Sequence, residues 1–333
     1  MNNTEEKDRN YNLDLQNLAP VSVSVYNRVE HFKNCIKSLE ANDLAKYSIL
    51  YVFSDAALPG DEDEVSKVRE YARSISGFKS TKLIFQKKNN LKKNMQDLFQ
   101  MAFEINGKSI IMEDDTVVHK SFLKFMNMSL NIYEKVDKIH CISGYVGPEN
   151  HLEKSIDVQA YLVPDLAGIG IWKKKHFEFL NDYHSCHPWL RLKKNFYYCI
   201  KFIFYFGISK ILLFKEMYDK NLFYEDYLLE EYIYRKKKLV IIPPFTLTLN
   251  KGYDGSGINC GTLEEFQNEN FLRHSDNFDF SIKFDESRAN QLTKRTLKFR
   301  GLKPNLVRQV YALIAYFYKP PKIIRRFFKK IGF

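Results

Sequence analysis

Several features that mark well-known protein classes are missing from this sequence of 333 residues. It has no uninterrupted apolar stretch of the roughly 18 residues that indicate a membrane-spanning helix. Its start, MNNTEEKDRNYNLDLQN, contains no apolar signal region. Its five cysteines are scattered, odd in number and without CxxC or zinc-ligand spacing. We therefore expect a reduced, cytosolic protein rather than a disulfide-bonded or zinc-binding one.

Acidic residues are missing from the C-terminal segment. From Arg288 to Phe333 there are thirteen Lys or Arg and no Asp or Glu, and the net charge of +11 minus these thirteen leaves −2 for the rest. A basic charge confined to one end argues against a nucleic-acid-binding core and points to an attachment surface. The last twelve residues, KIIRRFFKKIGF, place apolar and cationic side chains on opposite sides of a helix. That pattern is typical of a helix lying in an anionic membrane interface, with docking on the rest of the chain as the alternative.

Strand and helix patterns alternate in the first half of the chain. Short β-branched or apolar runs predict strands at residues 20–27, 48–55, 81–86, 108–113 and 139–145, and apolar residues at helical spacing predict helices between them. This alternation predicts an α/β fold with a mostly parallel sheet flanked by helices on both faces. In such sheets ligands bind beyond the carboxyl ends of the strands.

Polar side chains follow three of these predicted strands. The first strand runs into Arg28, the second into Asp55, and the fourth into Glu113, Asp114 and Asp115, which we call the acidic triplet. Adjacent carboxylates repel one another unless a cation or water relieves them, and carboxylate oxygens suit Mg²⁺ or Mn²⁺. A solvated turn would explain one such strand end, whereas three on one edge of a sheet indicate a site. An ATPase site is excluded because the chain lacks the phosphate loop GxxxxGK[ST].

Two later segments have an unusual composition. The run NFYYCIKFIFYFGISKILLF (195–214) is apolar but interrupted by Lys201 and Lys210, and it predicts a buried or interfacial helical insertion rather than a membrane span. The segment NKGYDGSGINCG (250–261) has four glycines in twelve residues, so its backbone turns tightly or approaches a ligand. It is interpreted as a loop that closes over a ligand, with a plain surface loop as the alternative.

Six segments, taken in chain order, resemble a known family. VSVSVYNR, YVFSD, IIMEDD, AGIGIW, FYEDY and GYDGSG together span roughly residues 20–260. Their order resembles that of GT-A nucleotide-sugar glycosyltransferases, most closely the N-acetylglucosaminyltransferase I family and its bacterial relatives. The resemblance implies a GT-A, Rossmann-like fold and the use of a UDP-sugar with Mn²⁺ or Mg²⁺. Separately, we expect the aromatic run, as a buried or interfacial insertion, to lie near a lipid-linked acceptor.

The resemblance assigns roles in donor binding. Arg28 would contact the donor diphosphate, Asp55 would accept a hydrogen bond from the uracil, and Asn94 would approach the base. Within the acidic triplet, Asp115 would be the metal ligand, and the other two carboxylates would hold ribose, water or contacts around the metal. The ion would neutralise charge on the leaving UDP.

The resemblance also assigns residues to the acceptor side. An inverting transferase needs a base that takes the proton of the acceptor hydroxyl, and the acidic pair Glu225 and Asp226 is the candidate. We favour Glu225 by position and leave Asp226 open, because the family typically has two Asp between Trp residues at this point. A plain helix-surface pair is the alternative. Trp172 would pack near the donor or acceptor sugar, with a core position as its alternative.

These inferences combine into one set of expectations. We expect a polar extension over residues 1–19, a GT-A catalytic domain over 20–287 and a basic membrane-associating tail over 288–333. The nucleotide-binding half of the domain would cover about 20–150 and the acceptor half about 151–287.

The expected function is inverting transfer of a hexosyl or N-acetylhexosaminyl group from a UDP-sugar to a glycan acceptor. The acceptor would be lipid-linked, in surface polysaccharide synthesis on the cytoplasmic face of the cell membrane. Two alternatives stay open. One is a nucleotidyltransferase, although the segment YNRVEHF lacks the expected glycine, and the other is a non-catalytic membrane-bound scaffold of the same fold.

Overall fold

The computed structural model describes residues 13–147, 157–162, 167–255, 278–281 and 286–299. Its strands are β1 (Val21–Val25), β2 (Ile49–Ser54), β3 (Ser80–Phe85), β4 (Lys108–Glu113), β5 (Thr116–Val118), β6 (Ile139–Ser143), β7 (Gln159–Tyr161), β8 (Ile169–Trp172), β9 (Leu239–Ile242) and β10 (Thr248–Asn250). Its α-helices are α1 (Val29–Glu40), α2 (Glu62–Ser74), α3 (Leu91–Ala102), α4 (Phe122–Ile132), α5 (Lys173–Ser185), α6 (Pro188–Lys194), α7 (Phe196–Phe206), α8 (Ile208–Asp219), α9 (Glu225–Lys236) and α10 (Glu286–Phe299).

One large sheet organises the described residues. Its eight strands follow the order β3-β2-β1-β4-β8-β6-β9-β7, and a separate pair is formed by β5 and β10. Neighbours from β3 to β4 are parallel, as are β6 and β9, whereas β8 is antiparallel to both β4 and β6. The carboxyl ends of β1, β2 and β4 therefore meet at one edge, which we call the carboxyl edge.

Helices cover both faces of this sheet because strand residues alternate between two apolar layers. On β2, Leu50 and Val52 join the layer of α1, α2 and α4, while Tyr51 and Phe53 join the layer of α3 and α5 to α9. The predicted α/β fold, a mostly parallel sheet flanked by helices, is confirmed. The expected catalytic halves share this sheet, since β8 lies between β4 and β6. The division into domains stays a prediction, and the tail beyond residue 299 lies outside the described residues.

The aromatic run forms a bent pair of helices rather than a single rod. No single helix in the described ranges is long and apolar enough to cross a bilayer, and α7 and α8 together reach that length only with a bend of 116°. The bend lies at Gly207, where φ is 81° and ψ is 165°. Phe202, Phe206 and Phe214 of this pair are fully buried in the layer that also contains α9. The predicted helical insertion is confirmed, and only part of its surface is buried.

Gly207 makes this bend possible, because its backbone conformation is open almost only to glycine. We expect Gly207→Ala to lower the free energy of unfolding by about 1–3 kcal/mol. Chemical denaturation measures this change, with Ser209→Ala, an exposed position two residues further on, as the matched control. Equal stability of the two variants would contradict the constraint.

Candidate active site

Four elements bring charged residues together at the carboxyl edge. β1, β2 and β4 end there. β9 is parallel to β6 and therefore starts at the opposite edge. The 12 residues of α9 lead into β9, so α9 begins near the carboxyl edge. Arg28 is ion-paired with the acidic triplet there, Asp115 lines a cleft, and the charge of Asp226 reaches Glu113. The structure thus brings together residues nearly two hundred positions apart in the chain.

Arg28 is ion-paired with two carboxylates of the acidic triplet. Its Nη2 contacts Asp114 Oδ1 and lies 2.9 Å from Asp115 Oδ2. Both aspartates are only 4% exposed. Burial raises the pKa of Asp114 to about 6 even though the Arg28 charge opposes that rise. A single guanidinium therefore compensates only part of the negative charge collected here.

The acidic pair on α9 is close enough to affect the acidic triplet electrostatically. Glu113 is accessible to water of the cleft, yet surrounding protein atoms limit its solvation. This desolvation, with the charges of Asp115, Asp114 and Asp226, raises the pKa of Glu113 from 4.5 to about 7. The pKa of Asp226 is also raised, first by burial. The two groups of carboxylates thus form one electrostatic unit.

Glu225 points into the apolar layer beside the cleft. Its side chain is 17% exposed, and its Oε1 lies 3.5 Å from Nδ1 of His176, which stacks on Phe99 with ring centroids 4.1 Å apart. Burial and the neighbouring Asp226 charge raise the pKa of Glu225 to about 8. Burial lowers the pKa of His176 to about 4, so this imidazole is neutral at pH 7. The Glu225 carboxyl therefore lies beside a neutral, packed imidazole whose Nδ1 makes no hydrogen bond within the described residues.

The beginning of the glycine-rich segment lies over Asp115. β10 pairs with β5, and the Lys251 N–H donates to the Asp115 carbonyl oxygen at 2.8 Å. A Cβ at Gly252 would overlap Asp115 Oδ2, so only glycine permits this approach. His31 Nε2 lies 3.1 Å from Asp254 Oδ2 and ties the segment to α1. The predicted loop closure concerns residues 256–261 as well, and these lie outside the described residues.

Asp55 and Asn94 lie together at the ends of β1 and β2. Asp55 Oδ1 accepts the backbone N–H of Ala56 at 2.8 Å and that of Asn90 at 3.0 Å. Asn90 in turn caps α3. Asp55 thereby fixes the start of α3, whose Asn94 Nδ2 donates to Ser24 Oγ at 3.5 Å. Both side chains are buried, with Asp55 4% and Asn94 1% exposed, and their role in binding a base stays a prediction.

Trp172 does not belong to this site, and the prediction that it packs near a sugar is wrong. It pairs with Lys108, the first residue of β4, at the opposite edge of the sheet. Five residues of strand, about 17 Å, separate that level from Glu113. Trp172 is 3% exposed, its Nε1 donates to the Leu130 carbonyl, and Lys175 Nζ lies over its ring. Trp172 lies at the opposite edge because β8 starts near the carboxyl edge and runs antiparallel to β4, so that its last residue pairs with the first residue of β4.

Two histidines near these charged residues were not identified from the sequence. His31 lies three residues after Arg28 in the first turn of α1, a spacing that places both on one side of the helix. His176 is 49 residues before Glu225, and no local pattern connects the two. A cavity of about 540 Å³ is lined by His31, Asn34, Asp115, Val117, Lys251 and Asp254.

The carboxyl edge suits a divalent cation that takes most of its coordinating oxygens from a bound phosphate compound and water rather than from protein side chains. Among the described residues, no group of three or more His, Cys, Asp or Glu side chains is arranged to hold a metal. Buried Asp115 Oδ1 and Arg28 Nη1 have no hydrogen-bond partner in the described part of the chain. Mg²⁺-type sites commonly use one or two carboxylates with phosphate and water oxygens. Asp115 suits that arrangement, with Arg28 beside it for the phosphate.

Comparisons with known proteins give weak likenesses. No protein-family model matches the chain, and none of the curated proteins matches it. Solved structures that resemble it include the mannosyltransferase PcManGT from Pyrobaculum calidifontis with GDP-Man and Mn²⁺ (12% identity, TM-score 0.36, 49% of this chain and 47% of that one). Another is S. aureus TarS with UDP-GlcNAc (16% identity, TM-score 0.35, 51% of this chain and 48% of that one). A third is the glycosyltransferase GlyE of Streptococcus pneumoniae TIGR4 (13% identity, TM-score 0.29, 51% of this chain and 39% of that one).

These likenesses concern part of the fold alone. Each covers about half of this chain and less than half of the solved chain. With identities of 16% or less and TM-scores below 0.5, they carry no argument about function. None of the three names is that of an N-acetylglucosaminyltransferase I, so the resemblance to that particular family stays a prediction.

The raised pKa of Glu225 predicts a pH-dependent stability. The folded protein binds this proton more tightly than the unfolded chain between pH 4.5, the ordinary pKa, and about 8. The contribution of Glu225 to the free energy of unfolding therefore falls as pH rises through that range, by at most about 1.4 kcal/mol per unit. We expect Glu225→Gln to become progressively more stable than the wild type up to pH 8.

Urea denaturation at several pH values measures this difference. Glu178→Gln, at an exposed position of α5, is the matched control and should follow the wild type. Parallel curves for Glu225→Gln and the wild type would contradict the raised pKa.

Proposed function

We propose that this protein is an inverting glycosyltransferase that moves a sugar from a UDP-sugar to a glycan acceptor. The observation that carries the proposal is the approach of two acidic groups to one another at the carboxyl edge. The acidic triplet follows β4, and the acidic pair opens α9 within range of its charge. One group suits a cation-bound diphosphate, and the other suits a base for the acceptor.

The donor side would use the ends of β1, β2 and β4. Arg28 presents an unpartnered Nη1 among the described residues, suited to a diphosphate oxygen. Asp115 would hold Mn²⁺ or Mg²⁺, which when bound neutralises charge on the diphosphate leaving group. Asp55 and Asn94 would bind the nucleobase, a role that rests on the motif resemblance. UDP as the nucleotide rests on the motif resemblance.

The acceptor side would use Glu225. Its carboxylate takes the proton of the acceptor hydroxyl as the oxygen bonds to the anomeric carbon, while the bond from that carbon to the diphosphate oxygen breaks. Attack opposite the leaving group inverts the configuration. A pKa of about 8 makes Glu225 a stronger base than an ordinary carboxylate. His176 and Phe99 would hold the carboxyl in place.

The remaining parts of the proposal come from the sequence. The basic tail over residues 288–333 would attach the protein to the cytoplasmic face of the membrane, where a lipid-linked acceptor in surface polysaccharide synthesis would be available. The two alternatives, a nucleotidyltransferase and a non-catalytic scaffold, are distinguished by the following measurements.

Calorimetric titration with a panel of nucleotide sugars, with and without Mn²⁺, tests the donor side. We expect metal-dependent binding of a UDP-sugar and a loss of on the order of tenfold or more in Asp115→Asn, because a charged ligand oxygen is removed. Asp63→Asn, on the exposed first turn of α2, is the matched control. Preference for a nucleoside triphosphate would favour the nucleotidyltransferase, and no binding with metal present would favour the scaffold.

Release of UDP in the presence of the bound donor tests the base. We expect Glu225→Gln to reduce turnover by on the order of 10²-fold or more, because general-base catalysis commonly contributes that much. Donor affinity should stay within a few-fold of the wild type. Asp226→Asn separates the two candidates: a larger loss in Asp226→Asn than in Glu225→Gln would transfer the role of base to Asp226.

A further inference from the structure

One helix of the insertion exposes aromatic side chains that the described protein does not cover. Phe196 is 74% exposed, Tyr197 68% and Phe204 51%. At 100° per residue these three fall with Ile200 and Lys201 within an arc of about 140°. We call these five residues the α7 face. The opposite side of the helix, with Phe202, Ile203 and Phe206, is buried. Exposed large apolar surface of this kind marks an interaction site.

Exposed positive charge lies on and beside α7. The 33 residues from Tyr183 to Lys215 contain six Lys or Arg and no Asp or Glu, and three of the six, Arg191, Lys210 and Lys215, are ion-paired with acids outside this range. Lys193, Lys194 and Lys201 are exposed, and Lys201 Nζ lies 4.4 Å from the centre of the Tyr197 ring. Such a surface would repel a second copy of itself. It is complementary to a surface that carries negative charge on the outside and apolar groups just beneath that charge.

The α7 face also lies close to the start of the basic tail. Tyr205 OH donates to Asn290 Oδ1 of α10 at 2.8 Å, and Leu292 of α10 belongs to the same apolar cluster as Phe202. α10 ends at Phe299, nine residues and about 14 Å beyond Asn290. The acid-free tail predicted to bind membranes therefore begins near the α7 face. Two cationic, apolar segments far apart in sequence start from one region of the molecule.

We propose that the α7 face is a second membrane-attachment surface, which lies in the interface of an anionic bilayer. Its aromatic rings would enter the region between headgroups and acyl chains, while the lysines would contact anionic headgroups. α7 also packs on α9 through Phe202 and Tyr234, and α9 begins with the acidic pair. Membrane attachment would thus act on the layer that carries the proposed base, a consequence that rests on the proposed function. The proposal of membrane attachment is independent of that function.

A tryptophan placed on the α7 face reports its environment directly. The natural tryptophans, Trp172 and Trp189, are 3% and 6% exposed and give a constant background. In the full chain with phosphatidylglycerol vesicles, we expect Phe204→Trp to shift its emission to the blue and to be quenched by brominated lipid. Tyr47→Trp, at a 39% exposed position outside the α7 face, should show neither change.

Two results of this experiment would overturn the proposal. In one, the Phe204→Trp protein sediments with the vesicles but is not quenched. In the other, the blue shift occurs without vesicles and is accompanied by dimer formation, which would assign the surface to a second copy.

Vesicle affinity separates the α7 face from the tail. A tail variant carries Arg325→Gln, Arg326→Gln, Lys329→Gln and Lys330→Gln. In that background we expect residual binding to phosphatidylglycerol vesicles, and Phe196→Ser with Phe204→Ser should weaken it by on the order of tenfold or more. Ile105→Ser, at a 46% exposed position, is the matched control. Complete loss of binding in the tail variant itself would overturn the proposal, and circular dichroism confirms folding in each case.

Discussion

The carboxyl edge of the sheet depends on one electrostatic imbalance. Arg28 is ion-paired with two carboxylates of the acidic triplet, and the acidic pair on α9 adds to the same negative field. Desolvation and mutual repulsion consequently raise the pKa values of Glu113, Asp114 and Glu225 to about 7, 6 and 8. An arrangement that raises carboxylate pKa values toward neutral pH is also one that a divalent cation would relieve, since the cation offsets the negative charge that contributes to the rise. This imbalance connects the fold to the proposed chemistry.

The fold holds this charge in place by burying the strands on both faces. β1, β2 and β4 carry apolar side chains into two layers, so their ends cannot move apart to relieve the repulsion. Further support comes from the second half of the chain. β10 pairs with β5 directly after the acidic triplet, and Gly252 lets the backbone pass against Asp115. The candidate site is therefore assembled from both halves of the chain and not from residues 20–150 alone.

The two helical layers differ in what they contribute. The layer of α1, α2 and α4 supplies Arg28 and His31, next to the proposed donor site. The layer of α3 and α5 to α9 supplies Asn94, His176 and Glu225 and also carries the exposed α7 face. Because Gly207 bends the aromatic run by 116°, one side of α7 packs inward while the other stays accessible. Acceptor chemistry and proposed membrane contact thus belong to the same layer.

The sequence by itself determined five of the ten strands in the described residues, β1 to β4 and β6, the helices α1 to α4 between them, and the strand ends that carry Arg28, Asp55 and the acidic triplet. Those inferences succeeded because hydrophobic periodicity and the carboxyl-end rule are local or depend only on sheet type. Tertiary structure alone decided that Glu225 lies beside His176, that the glycine-rich segment begins over Asp115 and that Trp172 belongs to the opposite edge. Each of these depends on the direction and neighbours of elements far apart in the chain. The antiparallel β8 is an example, since its direction is set by packing between β4 and β6 and not by any residue of its own motif.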